Sequence, residues 1–403
     1  MSNMDLAKIT TYVSSKEQVQ VALKSGADHL ILEHSLISIR SFSNNWSDTK
    51  FKSLVLLIKE SRKINPNIEL SVNCDLILQN KDIPLIQQLL DILKQNNLNQ
   101  IIIQDPGLIE LINEYQPLIN IIFAQETGNL NLLSLNHYNK QCTTQFLSNE
   151  ITISSIKNAK KKLSGKLGIH VQGPIMIQYS YRRFLKHSPN ETISQEETIF
   201  RLAQDQQYPN RFYRFYDNPH GHFMYLYFDR CLHHYCDTLF KLNLDYWICD
   251  ARGDSISQLE AIIKHYKKQQ NDYNNNPSQY KPSDSDFDRL STIIKRPLRP
   301  GFFRVNKTDK IIDNKTKKTL PNFQYIGTVI DVIKEKWMTI EINTNLNKKT
   351  TLLIINPEGY QIELNNISFR SLTGTISNEC SEGLCQIKWQ KKIYPKSSIF
   401  LKI

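Results

Sequence analysis

The chain has 403 residues, 40% of them apolar, which excludes a disordered or fibrous protein. This is enough for one large domain and a smaller one, each with its own core. The apolar runs fall well short of the roughly 18 residues that a membrane span requires. The start, MSNMDLAKIT, lacks the basic and apolar regions of a secretion signal. We therefore expect a cytoplasmic protein without a membrane span.

The net charge and the cysteines narrow the class of protein further. The formal net charge of +11 suits an anionic partner, most commonly nucleic acid. An ordinary solvated basic surface explains the same excess, and both interpretations stay open. The seven cysteines are scattered and odd in number, which in a reducing compartment indicates free thiols.

The first 255 residues alternate short apolar runs with helical patterns, as β/α units around a parallel sheet do. One predicted helix carries apolar residues at Phe51, Leu54, Val55 and Ile58, the spacing of a face that packs on a sheet. The predicted strands cover residues 9–13, 28–32, 68–73, 100–104, 119–124, 142–147, 168–172 and 245–249. These units predict a TIM-like (β/α)8 barrel that is irregular or incomplete between residues 172 and 245. An open doubly wound sheet is the alternative.

The remaining chain has a different pattern. Residues 265–290 are polar and poor in aliphatic side chains, which predicts a linker or long loop. Beyond Pro321, short alternating segments such as KWMTIEI and TTLLIIN predict a small all-β barrel or sandwich. The predicted organisation is a barrel domain over 1–264, a polar linker and basic connecting segment over 265–320, and a small C-terminal β-barrel domain over 321–403.

Polar side chains follow the predicted strands. Strands of such a barrel end on the active-site side, so these side chains, two or three of them carboxylates, could together orient a polar substrate or coordinate a cation. They are Glu33, Asn73, Asp105, Gln125, Gln172, Asp250 and Arg252. Helix capping is the alternative role for each of them, and Asp105 before Pro106-Gly107 is typical of a cap.

Two other motifs have competing interpretations. The spacing in CLHHYC, from Cys231 to Cys236, does not match a zinc knuckle, so we predict a packed helix and no metal. The stretch from Arg211 to Phe228 interleaves aromatic rings with arginines, which is typical of a base-stacking surface or of a hairpin lined with aromatics. The hairpin is slightly favoured.

Basic residues cluster before the predicted β-domain. Lys295, Arg296, Arg299, Arg304 and residues 307–318 form a candidate stripe for phosphate groups. The motifs G-x-S-x-G, H-E-x-x-H, G-x-G-x-x-G and the P-loop do not occur. The common hydrolase, zinc-protease and nucleotide-binding classes therefore receive no support.

Several stretches, taken in order, resemble peptidase family U32, the collagenase-like proteins. They include KEQVQVALKSGADHLIL, IIIQDPGLI, FAQETGNLN and TQFLSNEITISSI. The most diagnostic is IHVQGPIMIQYSYRRFLKHS, which is similar to the family signature of His-Gly, then Cys, then Ser-Gly-x-Cys. Gly173, Tyr179 and Ser180 match this signature. RPGFFR and YIGTVIDVIKEKWMTIEI resemble the linker and the appended β-domain of the longer members.

The chain departs from the family at its cysteines. Met176, Arg183 and Phe200 stand where the family usually has Cys, and Gln172 replaces the signature His. In members that keep them, the cysteines hold an iron–sulfur cluster, so the resemblance predicts that no cluster is bound here. Downstream, Asn218 and Arg252 match the family, whereas Asp250 and Ala251 replace Glu and Gly.

The resemblance implies three functions. Longer members include the tRNA wobble-uridine hydroxylation proteins, so RNA modification with tRNA as partner and without a cluster is the first hypothesis. A peptidase and a non-catalytic binding or accessory subunit are the alternatives. The candidate catalytic residues are Asp250, Arg252 and Glu150. The candidate substrate-binding residues are Asn73, Asp105, Gln125, Gln172, Ser180 and Asn218.

Overall fold

A computed structural model describes residues 6–42, 45–185, 198–204, 211–304, 322–356, 360–395 and 397–403. The chain divides into two compact units, Met1–Lys307 and Thr308–Ile403. Within these described ranges, every helix is too short or too polar to cross a bilayer.

Eight parallel strands form a closed barrel in the first unit. They are β1 (Lys8–Val13), β2 (His29–Leu32), β3 (Glu69–Cys74), β4 (Gln100–Ile103), β5 (Asn120–Ala124), β6 (Thr144–Phe146), β7 (Lys166–Ser180) and β11 (Tyr246–Cys249). The barrel closes because β11 pairs with both β1 and β7. This confirms the predicted TIM-like barrel, and each predicted strand corresponds to an observed one.

Helices surround the barrel strands. They are α1 (Lys16–Lys24), α2 (Lys52–Ile64), α3 (Ile83–Gln95), α4 (Gly107–Tyr115), α5 (Leu132–Asn139), α6 (Ile153–Lys162), α7 (Cys236–Leu242) and α8 (Ile256–Asn275). In α2, Leu54, Leu57 and Ile58 are buried, since their spacing places them on the face that meets the sheet. The helices and the outward faces of the strands share one hydrophobic core.

The predicted irregularity lies between β7 and β11. There, the barrel sheet is extended by three antiparallel strands, β8 (Ile199–Gln204), β9 (Phe212–Asn218) and β10 (Gly221–Cys231). β10 pairs with the long β7, β9 with β10, and β8 with β9. A short strand, β12 (Leu298–Arg299), also pairs with β10. The predicted aromatic hairpin is confirmed, because β9 and β10 are adjacent antiparallel strands.

The structure differs from the predicted linker over residues 265–290. This stretch contains the end of α8, which crosses the predicted boundary at residue 264, and most of α9 (Asp284–Ile294). The low aliphatic content was misleading because α8 buries amide side chains that have hydrogen-bond partners. Gln270 donates to the carbonyl of Ala7 at 2.5 Å, and Gln269 accepts from the Tyr280 hydroxyl at 2.7 Å.

The second unit is antiparallel and all-β, as predicted. Its strands are β13 (Phe323–Ile333), β14 (Trp337–Ile342), β15 (Leu346–Asn347), β16 (Leu352–Ile355), β17 (Gln361–Leu364), β18 (Phe369–Arg370), β19 (Ile376–Ser377), β20 (Glu379–Cys380), β21 (Gly383–Lys388) and β22 (Ser398–Lys402). Eight of them form one sheet, and β15 pairs with β20. Their inward side chains, including Ile326, Met338 and Phe369, form a separate apolar core.

Candidate functional site at the mouth of the barrel

Polar side chains converge where the barrel strands end. Glu33 follows β2, Asn73 lies near the end of β3, and Asp250 and Arg252 follow β11. They meet because parallel barrel strands all end on the same side. These four belong to the predicted polar ring, and hydrogen bonds connect them.

Arg252 lies at the centre of this network. Its Nε and Nη2 donate to the two carboxylate oxygens of Asp250 at 2.9 and 2.6 Å, and its Nη1 donates to Glu33 Oε1 at 3.2 Å. The guanidinium also lies over the Tyr12 ring, 3.7 Å from its centroid. A bidentate carboxylate and an aromatic face fix the plane of a guanidinium. Arg252 is therefore held in one orientation.

Arg40 and Glu126 complete the network, although sequence reasoning missed both. Arg40 Nη2 donates to Asp250 Oδ2 at 3.2 Å and also bonds Glu126 Oε1, which in turn accepts from Arg252 Nη2 at 3.4 Å. Arg40 comes from the loop between β2 and α2, where no periodic pattern marks the direction of a side chain. The signal for Glu126 was its position directly after the candidate Gln125.

Burial shifts the pKa values of the carboxyl groups in this network. It raises the pKa of Asp250 well above its ordinary value, and the Arg40 guanidinium opposes this only in part. The pKa of Glu33 is raised by burial and by the nearby Asp75 carboxyl, and burial also raises the pKa of Glu126. Carboxyl groups with raised pKa values hold a proton more readily than ordinary ones. The mouth of the barrel is therefore suited to acid–base chemistry.

A small cavity of about 20 Å³ lies inside the mouth and is lined in part by Asn73, Gln125, Glu126 and His170. Both ring nitrogens of His170 and one carboxylate oxygen of Glu126 lack hydrogen-bond partners among the described residues. Burial and the Arg40 guanidinium lower the pKa of His170 to about 3, so its imidazole is neutral. The cavity has room and polar partners for one water molecule.

A larger cleft of about 300 Å³ opens beside the network. Its lining includes the guanidinium groups of Arg40, Arg214, Arg252 and Arg296 and the rings of Phe42, Phe200, Tyr216 and Tyr225. The arginines have carboxylate partners. Arg296, which was predicted to contact phosphate, bonds Asp229 and Asp254 at 2.7 Å each. The predicted basic residues 307–318 lie outside the described residues.

Two predicted residues have local contacts away from the network. Asp105 accepts from the backbone N–H groups of Gly107 and Leu78 at 2.8 Å each, and so it stabilises the turn before α4. Glu150 lies half-buried in the loop before α6, where its backbone N–H donates to Ser148 Oγ at 3.2 Å. Neither lines the small cavity or the cleft.

Three more predicted residues line neither the small cavity nor the cleft. A bulge in the pairing of β7 with β11 directs Gln172 outward, so that its side chain accepts from the Tyr266 hydroxyl at 3.4 Å. Asn218 donates to the carbonyl of Ile39 at 3.0 Å, which connects the hairpin to the barrel loop. Ser180, at the end of β7, accepts from a backbone N–H two residues further on.

The residues at the family's cluster positions do not fit an iron–sulfur cluster. Met176 is buried in an apolar cluster, and Arg183 and Phe200 offer a guanidinium and a phenyl ring. None of these side chains can replace a thiolate ligand. The thiols of Cys231 and Cys249 lie in the hydrophobic layer outside the barrel, where burial raises their pKa values and keeps them neutral.

The chain is similar to known proteins along most of its length. The sequence profile described as peptidase family U32 matches residues 14–313. The tRNA hydroxylation protein P1 of Bacillus subtilis is 18% identical over 94% of this chain and 91% of its own length.

Two solved structures show weaker similarity. The C-terminal domain of a Geobacillus thermoleovorans putative U32 peptidase is 11% identical, with a TM-score of 0.18, over 20% of this chain and 93% of that one. Phosphoribosylanthranilate isomerase from Thermotoga maritima is 15% identical, with a TM-score of 0.29, over 41% and 75% respectively. The profile match covers more than half of the residues, and we conclude that the chain belongs to peptidase family U32.

Proposed function

We propose that this chain is a cytoplasmic protein that takes part in tRNA modification, by hydroxylation of the wobble uridine, without an iron–sulfur cluster. The observation that carries the proposal is the similarity to tRNA hydroxylation protein P1. It extends over 94% of the chain and therefore includes both the barrel and the β-region. The positive net charge of +11 is consistent with an RNA partner.

The geometry of the barrel mouth supports this proposal. Unpaired RNA bases are commonly bound by aromatic rings and guanidinium groups, and the cleft offers both. Hydroxylation converts a C–H bond of the base into a C–OH bond, a two-electron oxidation that needs an oxidant from outside the chain. Asp250 and Arg252 are proposed as catalytic residues, Asp250 to accept or return a proton in that reaction and Arg252 to orient the substrate. Asn73 and Gln125, which line the small cavity, are proposed to hydrogen-bond the substrate. Glu126 joins them because one of its carboxylate oxygens faces no donor among the described residues.

Nucleoside mass spectrometry of tRNA tests the proposal. Total tRNA from cells with the gene deleted should lose hydroxylated wobble uridine relative to parent cells, and re-expression of the chain should restore it. Unchanged hydroxylation, in cells where no second protein supplies the activity, would contradict the proposal.

A non-catalytic accessory role is the second candidate. The replacement of the family's cysteines by Met176, Arg183 and Phe200 favours it, because cluster-dependent chemistry is then lost while the scaffold remains. In that case the purified chain binds tRNA, with an affinity that falls steeply with salt, but hydroxylation persists in deletion cells.

A further inference from the structure

Two phenylalanine side chains in the cleft are much more exposed than the tyrosine side chains that line it with them. Phe42 is 41% exposed and Phe200 is 49% exposed, whereas Tyr216 and Tyr225 in the same cleft are almost fully buried. Covering an exposed aromatic face is favourable, both from apolar burial and from ring stacking. These two rings are therefore the apolar surfaces that a bound ligand would cover.

Ring packing and strand pairing place the two phenylalanines beside Tyr216. The Phe42 ring lies against Gly253, where an added Cβ would approach its Cζ to 3.0 Å, and its centroid is 4.8 Å from that of Tyr216. Phe200 in β8 lies opposite Tyr216 in β9. The rings thus come from the barrel loop and from the antiparallel extension, and both lie next to Tyr216.

The chemistry around the rings selects a flat, polar ligand. Arg40 is buried but lines the cleft, so its guanidinium contributes positive charge that attracts the carbonyl oxygen of a ligand there. Arg252 also lines the cleft. A nucleobase offers a π-face for phenyl rings and carbonyl oxygens for guanidinium donors. A cleft of about 300 Å³ has room for a single nucleotide and none for a duplex, so a base must leave its stack to enter.

We propose that Phe42 and Phe200 stack on one unpaired pyrimidine base of RNA and position it over Arg40 and Arg252. This inference rests on the proposed function, because that function makes uridine in RNA the substrate. Phe200 stands at a position where the family usually has a cysteine. Phe200 cannot bind a cluster, and in this chain its ring would bind the base instead.

Calorimetric titration of the full chain with uridine 5′-monophosphate tests the stacking directly. Ribose 5-phosphate, which lacks the base, is the matched ligand. We expect ribose 5-phosphate to bind at least about tenfold more weakly than uridine 5′-monophosphate. Phe42→Ala and Phe200→Ala should each weaken uridine 5′-monophosphate binding roughly 5- to 150-fold, the loss expected when one stacking ring is removed. Phe200→Tyr should retain binding because it keeps the ring.

The control variant is Phe212→Ala, which removes a ring that is 50% exposed in β9 but does not line the cleft. It should bind uridine 5′-monophosphate like the wild type. Equal affinities for both ligands, or equal losses in all three alanine variants, would overturn the inference.

If Phe42→Ala and Phe200→Ala still restore tRNA hydroxylation in deletion cells, the stacking role fails and the proposed function stands. If they alone lose nucleotide binding while tRNA is unchanged in deletion cells, the stacking role stands and the proposed function fails.

Discussion

The barrel and the β-region differ in the polar residues that they bury. The barrel buries whole ionisable networks, including Arg40, Glu33 and Asp250, whereas the buried polar residues described in the β-region are Asn356 and Ser397. Removing an ion from water costs several kcal/mol even in a well-paired site. The difference places the costly buried charges in the barrel, whereas the β-region has an ordinary apolar core.

The largest expected effect comes from breaking the buried network. Asp250→Ala removes the carboxylate that Arg40 and Arg252 share, which leaves buried guanidinium groups poorly compensated. We expect the free energy of unfolding of the barrel to fall by about 3–5 kcal/mol, measured by urea denaturation. In the β-region, Asp331→Ala removes an exposed carboxylate. It should change the free energy of unfolding of that region by less than about 0.5 kcal/mol. Equal effects would contradict the contrast between the two regions.

A second comparison uses two glycines in the left-handed backbone region. Gly173 has φ +133° and a Cβ there would lie 2.5 Å from the carbonyl oxygen of Asp250, whereas Gly383 in the β-region has φ +117° and open space. Both alanine variants carry backbone strain. Gly173→Ala should cost about 1–3 kcal/mol more, because it must also displace the Asp250 backbone. Urea denaturation of both variants measures the difference, and equal costs would show that this backbone is free to move.

The last expected effect is a change in the slope of stability with pH, not a loss of stability at one pH. The pKa of Glu33 is raised in the folded protein, so the folded state binds more protons there than the unfolded chain does. Its contribution to stability is present below the unfolded pKa, about 4.3, and is lost as pH rises through the folded pKa. Glu33→Gln should therefore flatten the decline of stability with rising pH, by at most about 1.4 kcal/mol per pH unit. Denaturation midpoints between pH 5 and 8 test this, and parallel curves would contradict it.

The sequence predicted the barrel well because the β/α periodicity is a local signal. The site was harder to predict, since its members depend on how loops turn. Glu33, Asn73, Asp250 and Arg252 followed from strand ends alone. Arg40 was missed because its loop has no period, and Gln172 was misplaced because a bulge in β7 turns it outward. Helix α8 was missed because buried, hydrogen-bonded amides take the place of aliphatic side chains.

The most direct test of the account is complementation of deletion cells with the wild-type chain and with Asp250→Asn, followed by quantification of hydroxylated wobble uridine. Asn keeps the shape of Asp250 but cannot take up or release a proton as a carboxyl group does. We predict that the wild-type chain restores the modification and that Asp250→Asn, at equal protein level, restores less than about a hundredth of it, as expected when proton transfer is lost. Full restoration by Asp250→Asn would contradict the assignment of the barrel mouth as the site of chemistry.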